Sequence, residues 1–225
     1  AFYDYQIEQS CRFDYSDDTT LNRTTSFSAI TTFTFSTWFK RGRLDPYTGG
    51  QYGFVLKCDS NKGVGFTDGD QITVLNGTSH AIGTPVFRDT TGWGHLLLSV
   101  SSGTGTAFVN GVQQNATNSG MQLVGGADAE AIGICNYGTN NFDGYLAETA
   151  LIDGQALAYT SFAEFKNGIL IPKDISGLTF GTQGFLLKYE NASDLGNDSS
   201  GNNNDYTSNM GTDHQSIDTP TLGTG

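Results

Sequence analysis

Apolar and polar residues alternate in short runs along this chain. Thr32-Phe33-Thr34-Phe35-Ser36 alternates strictly, and Trp38 and Phe39 extend the run. A period of two puts Phe33 and Phe35 on one face and Thr34 and Ser36 on the other, as a half-buried strand requires. Residues 53–57, 71–75, 131–134, 145–152 and 184–189 read as further strands. The most apolar run is 95–100, with Leu96, Leu98 and Val100 on the core face. Ala107-Phe108-Val109 leads through Asn110-Gly111 to Val112. Asn-Gly between apolar residues predicts a tight hairpin, because both turn residues take positive φ. Asp153-Gly154 marks another turn. Helix signals are scarce. Ser161 and Glu164 stand at capping-box spacing and Asn167-Gly168 can stop a helix, so one short helix is predicted near 161–166, with Phe162 and Phe165 against the core. Strands at this spacing predict an all-β, two-sheet antiparallel sandwich.

Composition narrows the class. Charged residues make up 15% of the 225, against about 25% in an average protein. Glycine occurs 30 times, and Gly, Thr, Ser and Asn fill positions where helical proteins carry Glu, Lys and Arg. Fifteen Phe and ten Tyr exclude disorder of the whole chain. The net charge of −12 repels phosphate, which argues against nucleic-acid binding. No apolar run reaches the roughly 18 residues of a membrane span, so no membrane insertion is expected. Cys11, Cys58 and Cys135 have neither disulfide-framework nor zinc spacing, and are read as buried thiols of a protein made in a reducing cytoplasm.

Residues 1–200 are read as the sandwich, and 201–225 as an extended polar tail. Its few large apolar residues are Tyr206, Met210, Ile217 and Leu222. Alone, such a segment cannot offset its ordering entropy. The expected holder is a neighbouring subunit of a homo-oligomer; a tail lying across its own domain is the alternative.

A series of motifs carries a family resemblance. Asp14–Thr24 precedes Phe33-Thr34-Phe35-Ser36-Thr37-Trp38-Phe39-Lys40-Arg41-Gly42. Trp93-Gly94-His95-Leu96, Phe108-Val109-Asn110-Gly111, Phe142-Asp143-Gly144-Tyr145-Leu146-Ala147-Glu148 and Ile152-Asp153-Gly154-Gln155-Ala156-Leu157 follow in order. Gly184–Leu187, Leu195–Asn202 and Asp218–Thr221 complete it. The series resembles the concanavalin-A-like (laminin-G/pentraxin-type) jelly rolls of tailed-bacteriophage virion proteins. That resemblance implies a two-sheet jelly roll in a structural protein of the particle: a capsid decoration, head-fibre or tail-fibre component, located in the virion and in contact with other virion proteins. It favours a trimer. The alternative is a lectin-like module that attaches the particle to a host-surface glycan.

Glycanases on this fold set carboxylates at alternate positions of one strand. No E-x-D-x-E occurs, and Glu148 has no acidic residue two positions away, so no enzyme is expected. Glu148 is expected to accept hydrogen bonds from loop backbone near Trp93 or His95. His80, His95 and His214 are scattered and no G-x-S-x-G exists; His95 is expected at a strand start with its ring hydrogen-bonded. Asp194, Asp198, Ser200, Asn202 and Asp205 crowd hard oxygen ligands into one loop, a calcium candidate whose bland alternative is an Asx-rich turn. Asp14, Asp17 and Asp18 form a weaker one. Tyr47, Tyr52 and Tyr137 are candidate stacking platforms for a sugar, or packing residues of loop stems.

Overall fold

Phe33–Arg41 forms the strand around which one sheet is organised. The computed structural model describes residues 2–17, 19–25, 27–44, 52–59, 62–77, 79–123, 132–134 and 142–222. In chain order the strands are β1 (Ser10–Phe13), β2 (Leu21–Arg23), β3 (Phe33–Arg41), β4 (Tyr52–Asp59), β5 (Lys62–Thr67) and β6 (Gln71–Asn76). Next come β7 (Ser79–Val86), β8 (Gly94–Ser101), β9 (Thr104–Val109), β10 (Val112–Asn118), β11 (Ile132–Ile134) and β12 (Gly144–Asp153). The last are β13 (Ala163–Lys166), β14 (Ile169–Pro172), β15 (Phe185–Leu187), β16 (Thr207–Ser208) and β17 (Gln215–Ser216). The first sheet runs β10-β9-β8-β3-β12-β1-β17, with β15 on β12; the second runs β16-β2-β11-β4-β5-β6-β7. The pairs within both sheets are antiparallel.

The core follows from the alternation. Phe33, Phe35, Leu96, Leu98 and Val100 of the first sheet meet Val55, Leu56, Val64, Phe66, Ile72 and Val74 of the second. The first sheet is also covered on its other face. Phe162, Ile175 and Phe180 pack on Leu97, Ala150 and Ile152. Ile7 and Ala163 pack with Trp38 and Ala147, and Tyr5, Trp93 and Leu170 close that cluster. This second layer lets residues on the outward positions of β3, β8 and β12 be apolar.

Two expectations are corrected here. No helix forms at 161–166. Tyr159–Ser161 is a single 3-10 turn without a side-chain cap, and β13 then pairs with β14 in register Ala163↔Pro172 to Lys166↔Ile169. Asn167 and Gly168 have φ of 53° and 82°, so the pair makes a hairpin turn rather than a helix stop. Phe162 is buried as expected, whereas Phe165 is 54% exposed.

The tail from 201 bonds to its own chain along much of its length, as the alternative reading expects. Tyr206 is buried in the core beside Phe185, at 4.9 Å between ring centroids. β16 pairs with β2 and β17 with β1, so the tail closes the same open edge of both sheets. The Thr221 hydroxyl accepts from Ile7 N at 2.9 Å and donates to Ile7 O at 3.1 Å. Unpaired edge groups and buried aromatic area are what order this polar segment. Cys11 and Cys58 are buried thiols, and burial pushes the Cys11 thiol up; Cys135 lies outside the described residues. No helix among the described residues is long and apolar enough to cross a membrane.

Candidate functional site

The acidic loop at 194–205 bonds to its own backbone. Asp198 Oδ1 accepts from Leu186 N at 2.9 Å and Ser200 N at 2.8 Å, and Oδ2 accepts from Ser200 Oγ and Asn204 N, each at 2.8 Å. Asp205 Oδ1 accepts from Asp198 N at 2.8 Å. Asn202 donates to Gly181 O and Gly184 O at 2.7 and 2.9 Å. Asp194 is exposed at the loop's start. The arrangement is that of an Asx turn, which knits the tail to β15. At the second acidic position, Asp14 Oδ1 accepts from Ser16 N and Oγ at 2.8 and 2.6 Å, Asp17 is exposed, and Asp18 is outside the described residues. Among the described residues no three His, Cys, Asp or Glu side chains are placed to hold a metal ion. Tyr47 and Tyr137 lie outside the described residues, as does the side chain of Tyr52.

Glu148 does not reach loop backbone near Trp93 or His95. It is 3% exposed and accepts a hydrogen bond from the Tyr5 hydroxyl. The cause is local: the register of β12 against β3 shifts between Ala147 and Ala150, and Glu148 has a φ of 46°. That bulge turns the carboxyl toward the N-terminal segment. Burial raises its pKa to about 7. His95 stands at the start of β8 as expected, with Nε2 2.8 Å from Ser36 Oγ. Burial holds it down to about 3, so the imidazole is neutral. Its Nδ1 has no hydrogen-bond partner.

The sequence reading missed a cleft of about 190 Å³ at one end of the sandwich, lined by Phe39, Phe87, Asp89, Trp93, Gly94 and Asn110 among others. Its parts come from four places in the chain, and each is held from behind. Asp70, 2% exposed, accepts from Arg41 Nη2 at 3.0 Å through one oxygen and from Arg88 Nε at 2.9 Å through the other. Arg41 is itself buried, with its guanidinium 4.4 Å from the Phe66 centroid and Nη1 donating to Phe87 O at 3.1 Å. A buried pair satisfied on both sides in this way fixes geometry more than it adds stability. Here it fixes the 87–88 wall, because Phe87 N also donates to Asp70 O at 2.8 Å.

Asp89 shapes the next turn. Its Oδ1 accepts from the Thr91 hydroxyl at 2.7 Å, Thr91 N at 2.8 Å and Gly92 N at 3.1 Å. The Thr91 hydroxyl first, then the two backbone N–H groups, hold its carboxyl below the usual carboxylate range. Trp93 follows, its Nε1 donating to Asp218 Oδ1 at 3.0 Å and its ring edge-on to Tyr145 at 6.5 Å. Asp218 also pairs with Lys40 at 2.7 Å, so the tail braces the indole. The floor exists because residue 94 is glycine: a Cβ there would lie 2.8 Å from the Phe39 ring and 3.4 Å from Asn110 Oδ1. Asn110 and Gly111 form the predicted hairpin turn at φ of 50° and 76°. Asn110 Oδ1 accepts from His95 N at 2.8 Å. The sequence signal was Asp89-Thr90-Thr91-Gly92 opening onto Trp93, a polar turn delivering an aromatic at a strand's end.

Residues 13–158 match the family model for the concanavalin A-like lectin/glucanases superfamily. No curated protein matches the sequence. Among solved structures, a proposed carbohydrate binding protein from Bacteroides ovatus superposes with a TM-score of 0.65 at 14% identity, covering 92% of this chain and 59% of that one. This chain therefore spans under two thirds of that protein's length. A heptameric SAP-like pentraxin from Limulus polyphemus gives a TM-score of 0.48 at 13% identity, covering 68% of this chain and 80% of that one. Domain 4 of an extracellular arabinanase from Geobacillus stearothermophilus, in complex with arabinotriose, gives 0.48 at 18% identity, covering 70% and 76%. With the sandwich described above and a family match over more than half of its length, the chain belongs to the concanavalin A-like lectin/glucanases superfamily.

Proposed function

We propose that this domain is a lectin-like carbohydrate-binding module and that the cleft at Trp93 takes a sugar ring. The observation that carries the reading is one arrangement: an indole held by Asp218 beside the ionised Asp89, the Asn110 amide and the Gly92–Gly94 backbone. A sugar offers an apolar C–H face and a rim of hydroxyls. Trp93 suits the first, while Asp89 Oδ2 and the Asn110 NH₂ group suit the second. Binding is favoured over hydrolysis because glycoside cleavage uses two carboxyl groups flanking the bond, and Asp89 is the one carboxylate among the described lining residues. The motif series supplies the setting: on a phage particle, the module attaches the virion to host-surface glycan, and trimeric copies raise avidity.

The test is a glycan array followed by titration calorimetry, with and without calcium. Trp93→Ala should weaken binding about tenfold or more, the value of one lost aromatic contact, while its melting temperature shows the fold retained. Absence of binding to every glycan, or a Trp93→Ala variant that binds like the wild type, would overturn the reading.

A further inference from the structure

We infer that the ligand of this cleft is a chain of sugars crossing the end of the domain, not a single terminal unit; this rests on the carbohydrate reading above. Two aromatic surfaces flank one turn. Asn110 lines the cleft. Its neighbour Gly111 lies on the other side of the turn, where an added Cβ would be 3.0 Å from the Tyr159 ring. Tyr159 in turn meets Phe165 edge-to-face, with centroids 6.3 Å apart. Phe165 is 54% exposed, although its hairpin neighbours Ala163 and Leu170 pack down on the sheet. The turn that lines the cleft at Asn110 thus meets the Tyr159 ring at Gly111, and Tyr159 leads on to the exposed Phe165.

Size points the same way. A cavity of about 190 Å³ is smaller than the roughly 300–1,000 Å³ that receives a drug-sized ligand, so it holds about one ring. Any further contact must be made outside the cleft. The low turn between the two aromatic groups is the rim over which a linear chain can pass, and an exposed ring such as Phe165 offers the flat apolar face on which a sugar packs. The first unit sits at Trp93 and later units reach Tyr159 and Phe165.

The experiment uses ladders of arabino-, xylo-, cello- and malto-oligosaccharides of one to six units, with affinity measured by calorimetry on the full chain. For the ladder that binds, affinity should rise at least tenfold between one and four units and then level. Phe165→Ala should remove that rise while leaving the shortest ligand's affinity unchanged, and Phe165→Tyr should restore it. Its ring is exposed, so the fold should survive, which a thermal melt checks. Equal affinity at all lengths, or a length dependence untouched by Phe165→Ala, overturns the chain inference alone. If no ladder binds and the glycan array is also silent, the carbohydrate reading falls and takes this inference with it.

Discussion

Replacing Glu148 by Gln should change how stability depends on pH, with a size that follows from the carboxyl's surroundings. Burial is the largest influence and raises the group; the Tyr5 hydrogen bond and Lys188 pull it back, while Asp174 and Glu190 push it up. The outcome is about 7, against an ordinary 4.5. Between these values the folded chain holds a proton that the unfolded chain has released. Stability therefore falls as pH rises from 4.5 to 7, and is level above that. At about 1.4 kcal/mol per pH unit, the loss is about 3 kcal/mol. His95 runs the other way. It is held at about 3 in the fold against 6.5 when unfolded, so its contribution is lost as pH falls below 6.5. Between 4.5 and 6.5 the two effects largely cancel, and the wild-type curve alone says little. The informative quantity is the difference between wild type and Glu148→Gln in urea unfolding at pH 4.5, 5.5, 6.5 and 8. At pH 4.5 the two should be nearly equal, because both side chains are neutral. By pH 8 the Gln variant should be the more stable by about 3 kcal/mol. A difference that stays constant with pH would refute the argument. Tyr5→Phe, which removes the donor to the carboxylate, should deepen the wild-type loss at pH 8.

Two further outcomes follow from the packing. Asp70→Ala leaves Arg41 buried without its partner and should cost about 3–5 kcal/mol in denaturant unfolding, with weaker glycan binding as the 87–88 wall loosens. Ending the chain after Asp205 removes Tyr206 from the core and should destabilise the isolated domain by about 3–5 kcal/mol. A truncated chain that melts like the full one but loses an oligomer would instead place the tail's main role between subunits.

The central strands were legible from their apolar content: β3 alternates Phe with Thr and Ser, β8 is a nearly continuous apolar run because the first sheet is covered on both faces, and the Asn110-Gly111 turn was explicit in the residues. β5 was not, because Gly63 and Gly65 occupy its outward positions and read as turn residues. They are glycine for lack of room: a Cβ at Gly63 would lie 2.8 Å from the Phe54 ring. β7 was missed because it is mostly exposed and offers no apolar alternation. Asn167-Gly168 carries the same dipeptide as Asn110-Gly111, yet its position after Ser161 and Glu164 suits a helix stop as well as a hairpin. Short-range signals fit either reading, and the pairing of Ala163 with Pro172 decides. The cleft was the least legible feature. Phe39, Phe87, Trp93 and Asn110 meet only after β3, β7, β8 and the β9–β10 turn converge. The tail's polarity conceals its two edge pairings, and nothing local to Tyr206 tells that its ring enters the core.

The pairing of Thr221 with Ile7 bears on how this domain would respond to mechanical load. The two ends of the described chain face each other across one threonine hydroxyl, and β17 leaves β1 after two residues. Tension applied between the ends would meet these few bonds first and break them one after another, as a zipper opens. The long registers of β3 with β8 and β12 would be strained last. Pulling would therefore peel away the rim, including the Asp218 brace behind Trp93, at forces that leave the central sheet intact. The brace behind Trp93 and the load on the chain ends are thereby tied to one short segment.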